Sequence, residues 1–311
     1  KYITISSDRA GQRLDNFLLS VLKNVPKSRI YKAIRKGEVR INKSRSRASY
    51  KLVAGDYVRV PPLFSPDATP VVPPTQRLQD WITGCVVFEN SKIIILNKPA
   101  GIPVHSGGAE DHGVQGIVRI MRPEAPCIEL VHRLDKGTSG CLVIAKKRSM
   151  LRAMQQKFRE RLVKKQYFVL VKGVWEGGKR RVEVPLTKKQ HKGGGKMVVV
   201  DTQSGKAAVS TFVPIRKFKD VTLLLVRIET GRTHQIRVHA RYLGYPVVGD
   251  SKYGCDEFNS KIRRLGFNRM FLHSASILFR DLTNELPVFG LSVLLSGEFR
   301  EFLYQLEQGL G

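Results

Sequence analysis

Glu129–Lys147 reads ELVHRLDKGTSGCLVIAKK, and the local fold turns on its second half. Cys141–Ala145 is an apolar run of strand length, closed by Lys146 and Lys147. The preceding Lys136–Gly140 has the chemistry of a loop. Gly137 and Gly140 supply backbone freedom, and Thr138 and Ser139 supply local hydrogen bonds. Asp135 is therefore expected on a tight loop at a strand edge, two residues after Arg133. A lone Asp in such a loop is either an Asx-turn or cap, or a carboxylate presented for chemistry. Spacing alone leaves both open.

Outward from this stretch, strands and helices alternate from Trp81 to the end. Ile93–Leu96 and Val221–Glu229 read as strands, the second as a buried one. Leu151, Met154, Phe158 and Leu162 recur at helical spacing while Arg152, Lys157, Arg159 and Arg161 take other faces, so this stripe reads as core. Gln166–Val174 follows as a strand carrying Tyr167, an aromatic whose simplest role is packing. After the turn Thr230–Thr233, His234–Leu243 reads as a helix with Thr233 as N-cap and Gly244 just past its end. His234, Arg237 and Arg241 then share one face at i, i+3 and i+7. Arg237 there is either a phosphate contact or a partner for a carboxylate. His234 and His239 lack the carboxylate of an HExxH helix, so no zinc site is expected. Lys192–Lys196 (KGGGK) reads as a flexible basic loop.

The first 60 residues are a separate, very basic block. They hold 15 Lys and Arg against 4 Asp and Glu, a net +11 of the chain's formal +28. Leu14, Phe17, Leu18, Val21 and Leu22 follow helical spacing. A second helix is expected from Ser28, its N-cap, to Lys36, with Gly37 as its stop. Glu38–Asn42 and Tyr57–Val60 read as short strands. Pro61–Asp80 contains six of the 15 prolines and reads as an extended linker to the 81–311 block.

A charge this positive points to a polyanionic partner, nucleic acid before membrane. The longest apolar runs are strand-sized, far short of the roughly 20 residues a spanning helix needs, so no membrane association is expected. Cys85, Cys127, Cys141 and Cys255 form neither a disulfide framework nor a CxxC clip, which fits a reducing cytoplasm. No signal-peptide pattern opens the chain, and the native start is expected upstream of Lys1.

Two resemblances sharpen this. GQRLDNFL (Gly11–Leu18), KSRIYKAIRKGEV (Lys27–Val39), RIN (Arg40–Asn42) and AGDYVRV (Ala54–Val60) together resemble an S4 (αL-type) RNA-binding domain. That likeness, with the charge of the helix, makes Arg13, Lys27, Arg29, Lys32, Arg35 and Lys36 the candidate RNA-binding residues; the plain alternative is a solvated basic face. HRLDKGTSG (His132–Gly140) is similar to the signature of the RluA superfamily of pseudouridine synthases. LNKPAGIPVH (Leu96–His105), KQYFVLV (Lys165–Val171), TGRTHQIRVH (Thr230–His239) and RMFLHSA (Arg269–Ala275) resemble its other motifs, in order. With the S4 block in front, the chain resembles the RluC and RluD group, which acts on large-subunit ribosomal RNA. Lys136–Gly137 stands where relatives often have other residues.

The resemblance implies an α+β chain. A small S4 domain would precede a larger catalytic domain, built on a mostly antiparallel mixed sheet flanked by helices. It implies isomerisation of uridine to pseudouridine, which gains and loses no atoms, so neither cofactor nor metal is expected. Asp135 would be the catalytic carboxylate, adding to the sugar carbon or taking a ribose proton. Arg237 would be its charge partner, and Tyr167 would stack on the uracil. Arg133, with His132 and Arg232, would hold substrate. Leu272 would be either an apolar wall of the pocket or plain core. The implied partner is ribosomal RNA, of the large subunit or its assembly intermediates, with no obligate protein partner evident. A catalytically silent RNA-binding protein needs only the basic surface. A metal nuclease would show clustered carboxylates, and no DxD lies near Asp135.

Overall fold

The computed structural model describes residues 1–22, 25–63, 73–105, 112–190, 195–283 and 286–309. The chain divides into two compact units, Lys1–Pro73 and Pro74–Gly311. Part of the proline-rich stretch (64–72) and part of the KGGGK loop (191–194) lie outside the described residues.

The first unit runs β1 (Tyr2–Thr4), α1 (Leu14–Val21), α2 (Lys27–Lys36), β2 (Arg40–Ile41) and β3 (Tyr57–Arg59), with an antiparallel sheet in the order β1-β3-β2. Leu14, Phe17 and Leu18 of α1 bury against Ile30, Ala33 and Ile34 of α2 and against Val58. α2 starts one residue earlier than expected. Pro26 sets the entry with φ −54°, and its carbonyl accepts from Arg29 and Ile30, so Ser28 lies inside the first turn rather than capping it. Gly37 ends the helix in the left-handed region at φ 70°. β2 stops at Ile41 because Asn42 and Lys43 both turn to positive φ. Lys27, Lys32, Arg35 and Lys36 are exposed. Arg13 instead grips Asp15 through two nitrogens, and Arg29 pairs with Glu38 at 2.9 Å.

The second unit runs α3 (Gln76–Gly84), β4 (Val86–Glu89), β5 (Ile93–Lys98), α4 (Val114–Met121), β6 (Glu129–Leu130), β7 (Ser139–Ala145), α5 (Arg148–Arg159), β8 (Lys164–Lys172) and β9 (Arg180–Val182). It continues through β10 (Leu186–Gln190), β11 (Lys196–Val200), β12 (Ser210–Lys217), β13 (Val221–Ile228), α6 (Gln235–Tyr242), α7 (Asp256–Arg264), β14 (Leu272–Thr283), β15 (Leu286–Ser292) and α8 (Gly297–Glu307). α3 takes up residues 76–80 of the stretch expected as linker, with Thr75 capping it. α5 ends at Arg159, and Arg161 at φ 60° carries the chain out. Leu162 therefore leaves the expected stripe and is exposed, while Met150 and Met154 supply the buried face.

The main sheet has ten strands in the order β4-β5-β7-β14-β8-β13-β12-β9, with β6 beside β7 and β15 beside β14. Its pairs are antiparallel except β7 with β14. This is the α+β mixed sheet the resemblance implied. Every residue of β7 is buried. Alternation sends Leu142 and Ile144 to one face, with Val114 and Ile117 of α4. Cys141, Val143 and Ala145 go to the other, with Met150 and Met154. β10 and β11 form a separate basic hairpin.

The parallel pair fixes where the Asp135 loop enters the sheet. Gly140 opposes Ser274 at φ +107°, and a Cβ there would lie 2.3 Å from the Ser274 carbonyl oxygen. Only glycine permits this approach. Gly140→Ala is expected to cost about 3 kcal/mol of stability through positive φ and overpacking, read as a lowered denaturation midpoint. Wild-type stability would mean that β7 and β14 can separate without penalty.

Candidate active site

Asp135 sits on a turn closed by the Thr138 N–H donating to the Asp135 carbonyl at 3.0 Å. The turn is held from below by the segment after β5. Gly101 N–H donates to the Lys136 carbonyl at 2.8 Å. Lys98, wholly buried, donates from Nζ to the carbonyls of Pro99 (2.7 Å), Ile102 (2.8 Å) and Lys136 (3.3 Å). Three acceptors match the three donors of an ammonium. Burial and then the Arg269 charge nevertheless pull Lys98 down to about 7, with Asp135 opposing them.

α6 brings the cation. Arg237 Nη1 donates to Asp135 Oδ2 at 3.1 Å across 102 residues of chain. Its Nε and Nη2 donate to Asp250 at 2.6 and 2.8 Å. Asp250 is fully enclosed and also accepts from the Lys252 and Tyr253 N–H groups. Burial alone would raise its carboxyl; the bonds and charge of Arg237, with the two backbone donors, outweigh this and hold it below the usual range. Asp250 thus aims the guanidinium, and one arm of the fork remains for Asp135. No described residue hydrogen-bonds to the Asp135 Oδ1 oxygen.

The start of α6 departs from expectation. Thr233 is not the cap; the helix begins at Gln235, and His234 precedes it in the left-handed region at φ 54°. The Gln235 side chain does the organising. It accepts from Thr230 Oγ1 and Arg232 N–H and donates to the Val209 carbonyl and Ser210 Oγ. His234 Nε2 then lies 3.9 Å from Asp135 Oδ2, and Nδ1 lies 2.7 Å from Tyr253 Oη. Arg241, on the same expected face, is exposed.

The remaining expected site residues divide. Tyr167 on β8 is buried in one cluster with Leu272, Met270 and Ile236. Burial first, with the Asp135 charge adding, pushes its phenol well up, so it stays protonated; its bond to Ser274 opposes the shift. Arg133, two residues before Asp135 in sequence, is exposed. Arg232 spends Nε on the Ala207 carbonyl at 3.0 Å. His132 does not join the Asp135–Arg237 group. Its ring stacks on Phe158 of α5, and Nε2 accepts the Val143 N–H at 3.1 Å. Burial, then the Lys165 charge, lower it to about 4, so it packs as a neutral ring.

Asp250, Tyr253 and Lys98 were not singled out from sequence. Gly249–Asp250, with N–H donors two and three residues on, is an Asx-turn pattern. That pattern signals a turn and says nothing of the arginine on another element. Among the described residues no three His, Cys, Asp or Glu side chains converge as a metal site would require.

The family described as RNA pseudouridylate synthase matches residues 92–242, and the S4 domain matches residues 12–58. The "Ribosomal large subunit pseudouridine synthase C" of Vibrio vulnificus (strain CMCP6) is 44% identical over 288 residues, 92% of this chain and 90% of that one. The chain belongs to the RNA pseudouridine synthases. The protein of the same name from Escherichia coli (strain K12) is also 44% identical, over 90% of this chain and 88% of its own length. Human RNA Pseudouridylate Synthase Domain Containing 4 shares the fold, with a TM-score of 0.62 and 23% identity over 74% of this chain and 96% of that one. No helix among the described residues is long and apolar enough to cross a membrane.

The buried lysine under the synthase loop makes a pH prediction. Between about pH 7 and its ordinary value of 10.5, Lys98 binds fewer protons folded than unfolded. Its contribution to stability therefore rises with pH across that window. Urea titrations should show wild type gaining on Lys98→Met from pH 7 to pH 10. An offset that does not change would return Lys98 to its ordinary range.

Proposed function

We propose that this synthase converts uridines to pseudouridine in large-subunit ribosomal RNA or its assembly intermediates, with Asp135 as the reactive carboxylate. The observation that carries the reading is the guanidinium of Arg237, locked by buried Asp250 and offered to Asp135 Oδ2. The reaction breaks the N1–C1′ bond, turns the uracil and joins C5 to C1′; the proton leaving C5 is balanced by one taken up at N1. A carboxylate serves by adding to C1′ or by taking a ribose proton, and both need it ionised. An adjacent arginine supports that form. The target base must leave its stack to reach such a group. Tyr167 is the proposed ring beneath the uracil, Leu272 the apolar wall, and Arg133 the side chain that holds the vacated place.

The substrate assignment leans on the relatives named for the large ribosomal subunit, 44% identical over nine-tenths of the chain. Residues 1–60 are proposed as the RNA-binding module, 61–80 as the connection and 81–311 as the catalytic part, working in the cytoplasm without an obligate protein partner. Within the module, exposed Lys27, Lys32, Arg35 and Lys36 are the proposed phosphate contacts. Arg13 and Arg29, committed to Asp15 and Glu38, shape the surface instead. A catalytically silent RNA binder would have no use for the Asp250–Arg237–Asp135 arrangement.

Incubating the enzyme with unmodified ribosomal RNA, without added metal, should yield pseudouridine and no strand breaks. Asp135→Asn should abolish product while leaving RNA affinity within a few-fold. Appreciable turnover by a preparation free of deamidation would remove Asp135 from the chemistry.

Replacing Lys32, Arg35 and Lys36 together by Gln should weaken binding and flatten the plot of log affinity against log salt, by about 0.7–0.9 for each phosphate that is no longer neutralised. An unchanged slope would make this helix a solvated face.

A further inference from the structure

The chemistry proposed for Asp135 and Arg237 leaves His234 and Tyr253 unused, although both face that pair. Val198 N–H of β11 donates to Tyr253 Oη at 2.9 Å. With that acceptor position filled, the phenol proton is free for its other neighbour, His234 Nδ1 at 2.7 Å. A neutral imidazole carries one N–H. If Nδ1 accepts, the proton is on Nε2, the nitrogen on the side of Asp135 and 3.9 Å from Oδ2. The surroundings of His234 favour the neutral ring. Burial lowers it first, the Arg237 and Lys252 charges push the same way, and Asp135 and Asp250 oppose them.

The backbone is held in an uncommon state to present this ring. His234 is one of four described non-glycine residues with positive φ, and it lies directly before α6. Such conformations persist where the surroundings over-determine them, and they cluster at functional sites. Gln235 supplies that over-determination through its four hydrogen bonds. Tyr253 is equally constrained. Its ring lies 4.9 Å from the Arg237 guanidinium, and it packs with Leu186, Val198 and Val238 between the hairpin and α6.

We infer that His234, its tautomer set by Tyr253, is a second positioning residue for Asp135. Its Nε2–H steadies Oδ2 beside Arg237 and leaves Oδ1 to the nucleotide. This rests on Asp135 being the reactive carboxylate. At 3.9 Å the contact is open; site hydrogen bonds that are long without substrate commonly tighten when it enters. The outer end of the relay is the basic hairpin. Val198 lies in β11, and Lys252 Nζ also holds the Lys196 carbonyl at 2.6 Å. A hairpin displaced from α6 would withdraw the N–H that orients Tyr253.

The test measures single-turnover pseudouridine formation at saturating ribosomal RNA, and RNA affinity, for Tyr253→Phe, His234→Asn and the double variant. Asn tolerates positive φ, and Phe keeps the ring under Arg237. Tyr253→Phe should slow the reaction about fivefold, the worth of one net hydrogen bond, and His234→Asn about tenfold or more, with affinity within twofold in both. The double variant should match His234→Asn alone, because Tyr253 acts through His234. Nitrogen NMR of the full chain should find His234 protonated at Nε2, and Tyr253→Phe should shift that tautomer balance. Additive losses, losses confined to affinity, wild-type rates or an Nδ1–H tautomer would each overturn the inference. If His234→Asn fails to fold, the Tyr253→Phe rate and the tautomer still decide. Asp135→Asn run alongside separates the two claims: turnover there removes the underlying reading, whereas a dead Asp135→Asn beside fully active His234 and Tyr253 variants removes this inference alone.

Discussion

The centre of the catalytic unit is one guanidinium shared between two carboxylates. Asp250 has no exposure to solvent, so its charge is costly unless paired. Arg237 pairs it through two nitrogens, and the N–H groups of Lys252 and Tyr253 fill further acceptor positions. That pairing leaves the guanidinium little freedom. The third nitrogen is then held towards Asp135 as a fixed donor at 3.1 Å; in the proposed reaction no flexible side chain would have to be ordered. The asymmetry is the useful part: one carboxylate is consumed by structure and the other stays partly open.

Around this pair the fold supplies backbone. Asp135 must stand where the chain enters the middle of a ten-stranded sheet, and three constraints put it there. Gly140 lets β7 lie against β14 at a separation no side chain permits. Lys98 ties the carbonyl after Asp135 to the segment following β5. Burial of the whole of β7 leaves that strand no alternative register, since a one-residue slip would exchange its two packed faces. The loop that carries Asp135 is therefore positioned by the strands and side chains around it.

Charge is partitioned along the chain as well. The first unit carries exposed cations on α2 and buries an ordinary apolar core beneath them. The second unit keeps the charges of Arg237, Asp250 and Lys98 inside. Arg237 stands between Asp250 and Asp135, and Lys98 stands among carbonyls with burial pulling it towards neutrality. On the proposed reading, long-range attraction for a polyanion would come from the surface, and orientation of reacting atoms from pairs shielded from salt.

The sequence by itself determined the local pieces. The apolar run Cys141–Ala145 appears as β7, the loop before it carries Asp135, Arg237 lies on α6, and Gly37 stops α2. All of these depend on torsional preference and periodicity over a few residues. Where local reading failed, a distant partner had intervened. Thr233 had the chemistry of a cap, yet Gln235 folds back onto Thr230, Val209 and Ser210 and turns His234 left-handed instead. Leu162 continued a helical stripe, yet the helix had already ended at Arg159 and Arg161 turns to positive φ. His132 neighbours Asp135 in sequence, but its ring goes to Phe158 and the Val143 N–H. The pairing of Arg237 with Asp135 came only through the resemblance and Asp250 was not legible at all, because the three side chains lie 13 and 102 residues apart. Only sheet order and register bring Arg237 within 3.1 Å of Asp135, and no short-range preference encodes a distance between residues that do not meet until the sheet has formed.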